Sequence, residues 1–487
     1  MPNGSFFSYA VYMSLTHQIA KNTAWQISGK IIAIVLGIFT IGLMTRYLGL
    51  DGYGQYATVW AYLQFFGLVT DFGLQLVVSR EISKADANEE HIIGNAFGLR
   101  LALNIVFLLI APLIALLFPY PPLVKIAILV ATLFFFFQST TNLFMGSFQK
   151  RFAMGMFTII ELIPRALLLV LIALTPFFGQ KLLWVTFAFG ITAGCHTILV
   201  LFRIKNYYRL RILTDWPMWK YLFLESWPLA LSIGLILVYF KGDTLLLSLY
   251  YPDTVVGLYG APYKILEVLA TVPAAFAGLL LPILSRHWSE QRIEDYGRVL
   301  QRGMDFLFLL GLPMVVGMYF ISTDVMRIVA GPDFIQSGPL LTVLMIATAV
   351  IFLSNILQFA IIAAGEQRKL TKFFAMAAVL ALGAYLITIP RYSYWGAAWT
   401  TVGVELLVMA LYLWLLKRMC GWKWKLGLAG KVVLSCLVMA FSMFVLRTIP
   451  WYLLAVIGTV VYGIVLFVTK AIDKEIVLKM LGRVEES

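Results

Sequence analysis

The sequence predicts an all-α integral membrane protein with about fourteen transmembrane helices. Of its 487 residues, 61% are hydrophobic and 13% are charged, and the mean hydropathy is +0.89. A soluble domain carries about 25% charged residues, so most of these helices are expected to face lipid or each other. Aromatic residues make up 15% of the chain, which is typical of helices whose ends meet two membrane interfaces.

Each predicted span is an apolar segment long enough to cross the hydrocarbon, which takes about 20 residues. The loops between the spans are short and leave no room for a globular domain. The predicted spans are residues 24–48, 53–79, 92–118, 123–147, 155–176, 182–202, 221–249, 255–285, 303–322, 338–364, 371–389, 395–416, 428–446 and 451–469.

Basic residues distinguish the two sides of the predicted membrane. The loops on the side of the N-terminus hold 26 Lys and Arg residues, whereas the opposite loops hold 6. Cytoplasmic loops are enriched in Lys and Arg, and an even number of spans puts both termini on one side. Both termini are therefore predicted to be cytoplasmic. The same loops account for most of the net charge of +13, so the charge does not indicate a nucleic-acid partner.

Two similar segments indicate an internal repeat. Gly54-Gln-Tyr-Ala opens the second span and Gly257-Leu-Tyr-Gly opens the eighth, six helices later. Because six is even, both halves insert in the same sense, which predicts two lobes related by an axis along the membrane normal. The alternative is that G-x-Y marks any helix start at the interface. The predicted parts are an N-terminal lobe of six helices, a C-terminal lobe of six helices, and two extra helices with a cytoplasmic tail: residues 1–210, 211–418 and 419–487.

The sequence shows no site for catalysis or for a metal ion. No GxxxxGK[ST] motif is present, because Gly29-Lys30 and Gly430-Lys431 are followed by Ile and Val, which cannot supply a hydroxyl to magnesium. The cysteines have no CxxC spacing, and the four histidines are scattered. We therefore expect a protein that is not an enzyme. Transporters, channels and assembly factors remain.

Charged residues inside the predicted spans are the candidates for function. A charge near the bilayer centre costs about 2.5–3.5 kcal/mol on insertion scales and usually faces a partner or a water-filled cavity. Most of these residues lie in spans one, two, seven and eight, which the repeat relates, and this favours a central polar cavity. They are Lys30, Asp71, Arg100, Glu161, Arg165, Lys241, Asp243, Lys264, Glu267, Asp305 and Glu405.

Structural roles compete with functional ones for the two closely spaced pairs. Glu161 and Arg165 are four residues apart on one helical face, so the two side chains can neutralise each other. Lys264 and Glu267 are three apart and can pair in the same way.

The remaining charges differ in their surroundings. Lys30 and Lys241 have no acid on the same face of their own helix, which makes them the stronger candidates. Asp71 and Asp243 could titrate or pair with those lysines across helices. Long side chains near helix ends can instead reach the interface. Arg46, Arg100 and Asp305 have such positions.

Short stretches along the chain carry a family resemblance. They are Leu43-Met-Thr-Arg-Tyr-Leu-Gly-Leu-Asp-Gly-Tyr-Gly-Gln-Tyr, Asp71-Phe-Gly-Leu, Ser79-Arg-Glu-Ile, Tyr239-Phe-Lys-Gly-Asp-Thr, Val256-Gly-Leu-Tyr-Gly-Ala, Leu281-Pro-Ile-Leu-Ser-Arg, Ala330-Gly-Pro-Asp-Phe, Ala364-Gly-Glu-Gln, Ile389-Pro-Arg-Tyr and Trp395-Gly-Ala-Ala-Trp. In this order they resemble the polysaccharide transporters, which are O-antigen-type lipid-linked oligosaccharide flippases of the multidrug/oligosaccharidyl-lipid/polysaccharide exporter superfamily. The eleventh span departs from the family, since it is apolar where members often carry asparagines.

The resemblance implies both an architecture and a function. The two six-helix lobes would form a V-shaped arrangement in the plasma (inner) membrane. They would move a polyprenyl-pyrophosphate-linked glycan from the cytoplasmic to the outer leaflet by alternating access, for surface polysaccharide biosynthesis. The implied partners are this glycan, the lipid bilayer, a polysaccharide polymerase and other assembly proteins. No cofactor is expected apart from coupling to a proton or sodium gradient.

Depth in the spans, rather than a family motif, selects the candidate site residues. Cations would replace the lost hydration of a pyrophosphate headgroup. The residues predicted to bind the substrate are Lys30, Arg46, Arg165, Lys241 and Lys264. A carboxylate in the membrane can carry a proton. The residues predicted to couple or gate transport are Asp71, Asp243, Glu267 and Glu161.

Three other functions compete with this hypothesis. A multidrug cation antiporter of the same superfamily would favour an acidic cavity with few lysines. A non-transporting scaffold of polysaccharide assembly would have no need for intramembrane charges in both lobes. A membrane enzyme would need a clustered nucleophile, metal ligands or paired acids beside a loop, and the sequence shows none.

Overall fold

The computed structural model describes residues 4–84, 86–151 and 153–471, without the side chains of 4–27, 30, 31 and 69. Within these ranges the regular structure is helical and no strand occurs, which confirms the all-α fold class. The helices are α1 (Gly4–Asp71), α2 (Leu74–Ile82), α3 (Glu89–Ala115), α4 (Pro122–Leu143), α5 (Met145–Lys150), α6 (Met154–Ala173), α7 (Lys181–Ile204), α8 (Trp216–Tyr250), α9 (Asp253–Ser289), α10 (Ile293–Val329), α11 (Gly338–Ala363), α12 (Gln367–Cys420), α13 (Ala429–Val445) and α14 (Trp451–Val468).

Eleven helical segments of the described chain are long and apolar enough to cross a membrane. Two of these segments contain a break. In α1 the backbone is non-helical at Gly49, with φ 65°, and in α12 it is non-helical at Ser393, with φ 55°. A break of this kind lets one continuous segment contribute two spans. The number of about fourteen spans stays a prediction.

The surface of the described helices is strongly apolar. Large apolar side chains are exposed along many helices and in the turns between them, among them Leu117, Phe177, Phe202 and Val468, each more than 70% exposed. A soluble monomer rarely exposes contiguous apolar surface on this scale. A bilayer solvates such a surface, and helices are the structures that satisfy their own backbone hydrogen bonds there. The fold is therefore that of a multi-pass membrane protein.

The chain divides into two compact units, one that runs to Gly257 and one that begins at Leu258. In the first unit, α4 packs on α7, α1 packs on α6 and α8, and α3 packs on α4. Buried side chains from α2, α3, α5, α6 and α7 form a core that includes Val78, Ile93, Phe148 and Val200. This core buries one face of α3, the helix that carries Arg100, and includes Leu74 at the start of α2.

In the second unit, α11 lies in the centre and packs on both α10 and α12. The two C-terminal helices α13 and α14 pack on each other and on α10. Their contact is apolar, with Cys436, Met443 and Leu454 buried, and the Tyr462 hydroxyl donates to the carbonyl of Leu309 at 2.8 Å. The lobe boundaries at residues 210 and 418 stay a prediction.

Two glycines of the predicted repeat lie against each other in the first unit. A Cβ at Gly54 would stand 1.8 Å from the carbonyl oxygen of Asp253, and one at Gly257 would stand 2.2 Å from that of Leu50. Beside them, Gln55 Nε2 donates to Asp253 Oδ2 at 3.0 Å. Small residues let helix backbones approach this closely. The sequence motif therefore has a packing role at this position.

Substituting leucine for Gly54 should destabilise the protein. Overpacking lowers the free energy of unfolding by about 1–3 kcal/mol. Because the added side chain would collide with backbone rather than with a flexible side chain, we expect a loss of about 3 kcal/mol. The matched control is Gly37→Leu in the same helix, where nothing lies within 4 Å of the added Cβ. Thermal unfolding in detergent measures both variants, and equal midpoints would contradict this packing.

Candidate functional site

A break inside the first unit positions the first part of the candidate site. α1 ends at Asp71 and α2 begins at Leu74, and between them Phe72 and Gly73 have φ of 47° and 71°. At Gly73 a Cβ would stand 2.8 Å from Leu229 Cβ, so both the backbone conformation and the contact require glycine. The Phe72 ring stacks on the Phe223 ring with 4.5 Å between their centroids, so the break packs against α8.

Arg100 of α3 lies against this break and is fully buried. Its Nη1 donates to the carbonyl of Thr70 and, at 2.9 Å, to Asp71 Oδ1. The helix break leaves the Thr70 carbonyl without a helical partner, and the negative end of a helix dipole attracts a cation. Arg100 therefore satisfies and neutralises the end of α1.

The rest of the Arg100 guanidinium has no protein partner in the described ranges. Its Nε and Nη2 atoms are buried without a hydrogen bond, while Asp71 is 33% exposed. A buried ion pair in which the cation keeps unused donors is costly for a fold to maintain. The sequence placed Arg100 near a helix end where it could reach the interface, and that interpretation is wrong.

A polar network holds α3 and α4 one turn beyond Arg100. Asn104 is fully buried, and its side chain donates to Thr140 Oγ1 and to the Phe136 carbonyl, both at 3.2 Å. Ser139 Oγ donates to Asn104 Oδ1 at 2.8 Å. Satisfied buried networks fix the register of the helices that form them. The network therefore fixes the position from which Arg100 reaches the break.

Ion pairs outside the predicted spans fix the C-terminal end of α2. Glu81 is buried and pairs with Lys84, at 2.5 Å, and with Arg80. Burial of its carboxyl opposes ionisation, but hydrogen bonds from Lys84, Tyr221 and Arg80 outweigh burial and hold the pKa of Glu81 below its usual range. Arg80 also contacts Glu225 of α8 at 2.6 Å. Both ends of α2 are thus tied to α8.

Three predicted site residues of the first unit lie elsewhere in it. Glu161 and Arg165 form an ion pair on α6 at 2.6 Å, in which Arg165 is exposed and Glu161 is partly exposed. Arg46 is exposed, and its Nη1 donates to the carbonyl of Gly42 at 2.8 Å. The prediction for Lys30 falls outside the described side chains. The roles of Lys30, Arg46 and Arg165 in binding substrate, and of Glu161 in coupling or gating, stay predictions.

α8 carries the remaining two predicted residues of the first unit. Asp243 is fully buried and accepts a hydrogen bond from Thr244 Oγ1 at 3.1 Å. Lys241 is half-buried on the same helix. α8 therefore carries two residues of opposite charge, Lys241 and Asp243, within its membrane-spanning segment.

In the second unit the predicted residues form a local pair. Lys264 Nζ lies 2.7 Å from Glu267 Oε2, three residues along α9, and both side chains are partly exposed. The structure thus pairs Lys264 with its own helix neighbour. The predicted roles in substrate binding and coupling stay predictions.

Glu405 is one of the charges predicted to lie within the spans, and the sequence indicated no role for it. Its side chain lies in α12 and is 4% exposed, and it makes no hydrogen bond within the described part of the chain. The signal in the sequence was a single acid within the apolar run 395–416. The sequence of this segment does not reveal that the Glu405 side chain is buried or that it lies away from a basic partner.

The described side chains form no cluster of the usual transition-metal ligands. In the described ranges no three His, Cys, Asp or Glu side chains lie close enough together to hold an ion. What the arrangement offers is fixed charge at membrane depth, next to a broken helix. In transporters, discontinuous helices and intramembrane ionisable residues form binding and coupling sites.

Solved structures define the class of this fold. It is similar to the lipid II flippase MurJ in an inward closed conformation, with a TM-score of 0.75, 14% identity and coverage of 95% of this chain and 100% of that one. It is also similar to an inward-facing multidrug resistance MATE family transporter of the MOP superfamily, with a TM-score of 0.66, 12% identity and coverage of 80% and 98%. The protein therefore has a MurJ/MATE-type multi-pass membrane fold.

Sequence relatives define the family. A Shigella dysenteriae protein named as an O-antigen transporter is 23% identical over 393 residues, which are 76% of this chain and 92% of that protein. The family model described as polysaccharide biosynthesis protein matches residues 19–288, more than half of the chain. The chain belongs to this polysaccharide biosynthesis protein family, and the resemblance found in its sequence is confirmed.

Proposed function

We propose that the protein is a flippase for a lipid-linked oligosaccharide. It moves a glycan on a polyprenyl pyrophosphate from the cytoplasmic to the outer leaflet by alternating access, for surface polysaccharide biosynthesis. Membership of the polysaccharide biosynthesis family, an O-antigen transporter relative and the lipid II flippase fold support this proposal.

The observation that carries the proposal is the buried charge in the first unit. A polar headgroup cannot cross hydrocarbon unaided. Burying Arg100 costs free energy, and a membrane protein that only scaffolds other proteins would not need a buried charge. A buried guanidinium with unused donors, next to a partly exposed carboxylate and a broken helix, is the kind of polar group that lines the path of a headgroup through a membrane protein. The predicted binding cations Lys30, Arg46, Arg165, Lys241 and Lys264 would supplement it.

The orientation of the protein follows from its loops. The excess of Lys and Arg on one side supports cytoplasmic termini and insertion in the plasma (inner) membrane. In this orientation the substrate enters from the leaflet in which it is made. The proposed partners are the polymerase and the other assembly proteins that use the flipped glycan. Nucleic acid is not a proposed partner.

Transport on this proposal needs no resident cofactor and no catalysis. A proton or sodium gradient would drive it through the predicted coupling residues Asp71, Asp243, Glu267 and Glu161. Glu405 joins this set, because a buried carboxylate without a cation favours binding of a proton or a small cation. Tyr412 of the same helix is a titratable group near it.

Replacing Glu405 by glutamine should uncouple flipping from the gradient. The amide has nearly the same shape and carries no charge, so the variant should fold as the native chain does. In proteoliposomes, flipping by the native chain should accelerate under an imposed proton or sodium gradient, and flipping by Glu405→Gln should not. An unchanged response to both gradients would remove Glu405 from the coupling residues.

A multidrug cation antiporter is the second candidate, favoured by the MATE-type fold. Purified protein in liposomes with a fluorescent polyprenyl-pyrophosphate glycan separates the two functions. A flippase makes the inner-leaflet label accessible to an external quencher, faster than liposomes without protein. Gradient-driven uptake of a cationic dye with no movement of the lipid would establish the antiporter instead.

A further inference from the structure

The two arms of α12 end side by side in the second unit. The chain turns at Ser393, and on either side of the turn the hydroxyls of Tyr385 and Thr401 lie 3.1 Å apart. Nearer the helix ends, the rings of Phe373 and Trp414 are 6.3 Å apart. The first turns of α12 therefore lie next to its last turns.

A cavity of about 490 Å³ lies at this end of α12, beside the end of α9. Its size falls in the range of small-molecule sites, about 300–1,000 Å³. Three cations line it, two from the first arm and one from the second, together with two tryptophans: Lys369, Lys372, Arg418, Trp288 and Trp414. None of these residues belongs to the site described above.

The charge of the cavity is positive. One lining acid, Glu366, pairs with Lys369 at 2.8 Å. Lys372 and Arg418 have no carboxylate partner in the described part of the chain, and the Arg418 guanidinium lies over the Trp414 ring at 5.6 Å. Two cations that face a cavity without a neutralising acid attract an anion, and Arg forms paired hydrogen bonds with phosphate oxygens.

The cavity is also apolar in part. Phe373, Leu415 and Met419 line it beside the two tryptophans, and Trp414 is 51% exposed. Tryptophan collects where the headgroups of a bilayer meet its hydrocarbon. A ligand that suits both parts has a phosphate group and an acyl chain, and basic pockets between transmembrane helices bind such headgroups.

We propose that this cavity binds an anionic phospholipid of the bilayer, with its phosphate between Lys372 and Arg418 and its acyl chain along Phe373 and Trp414. The Lys- and Arg-rich loops around α12 place the site at the cytoplasmic leaflet. This lipid is a resident ligand of one lobe and not the transported substrate. The proposal goes beyond the proposed function and does not depend on it.

Lipid binding to the purified full chain in neutral detergent tests the proposal. The probes are short-chain phosphatidylglycerol, phosphatidylcholine with the same chains, and inorganic pyrophosphate, each titrated by native mass spectrometry or by thermal shift. The double variant Lys372→Gln with Arg418→Gln should bind phosphatidylglycerol about 30-fold more weakly, since each cation near an anionic lipid contributes about fivefold. Lys417→Gln with Lys423→Gln removes the same charge outside the cavity and should bind as the native chain does.

The three probes also separate the sources of the phosphate. Phosphatidylglycerol should bind with much higher affinity than phosphatidylcholine or pyrophosphate. Equal losses in the two double variants, or equal binding of phosphatidylcholine, would overturn the site. Binding of pyrophosphate as tight as that of phosphatidylglycerol would overturn the assignment to a lipid. Thermal unfolding without lipid checks that both double variants fold.

Discussion

Replacing Arg100 by methionine should lower the stability of the protein by about 3 kcal/mol and abolish glycan export. Methionine fills similar space but removes the charge that neutralises Asp71 and the donor to the Thr70 carbonyl. Breaking a buried ion pair costs about 3–5 kcal/mol, and the partial exposure of Asp71 puts the cost at the lower end. Thermal unfolding in detergent and surface glycan in complemented cells measure the two effects.

A second variant separates folding from transport. Arg100→Met combined with Asp71→Asn removes both charges and leaves no unpaired carboxylate, so most of the lost stability should return. Export should stay low, because both the cation and the predicted gating acid are gone. A double variant that regains full export would mean that the pair serves the fold alone.

Reversing the charge of Lys241 should bring glycan export below detection. A charge-assisted hydrogen bond is worth about 1.5–3 kcal/mol, so Lys241→Gln should lower the initial rate of flipping about 10- to 100-fold. Lys241→Glu adds repulsion of an anionic headgroup and places a second acid two residues from the buried Asp243. The rate in proteoliposomes, normalised to folded protein, is the measurement.

Lys220→Glu is the matched control for this prediction. It changes the same charge in the same helix, but the side chain is exposed in the first turns of α8 and outside the predicted span. Its flipping rate should stay close to that of the native chain. If Lys220→Glu and Lys241→Glu lose the same fraction of the rate, the effect is one of net charge and Lys241 has no special role.

The helical fold could be predicted from the sequence because apolar length alone separates a membrane helix from a soluble one. The breaks could be predicted in part. Gly49 adopts φ 65°, which glycine permits, and it lies in the gap between the predicted spans 24–48 and 53–79. Ser393 also breaks its helix at φ 55°, three residues after Pro390, whereas the left-handed Phe72 gives no local signal.

The site was harder to predict than the fold. The pairs Glu161–Arg165 and Lys264–Glu267 followed from helical spacing, which brings residues three or four apart together. Asp71 and Arg100 are 29 positions apart, and only the packing of α3 on α1 brings them together. Burial of Arg100 likewise depends on its neighbours, and hydropathy does not reveal which face of a helix turns inward.

The leaflet in which the precursor accumulates tests the central claim most directly. In cells that lack the chain, the lipid-linked glycan should be trapped on the cytoplasmic face and surface glycan should be lost. The intact gene should release the trapped precursor, and the Lys30→Glu and Lys241→Glu variants should not. Normal surface glycan in those cells, with altered drug resistance instead, would contradict the flippase and favour the antiporter.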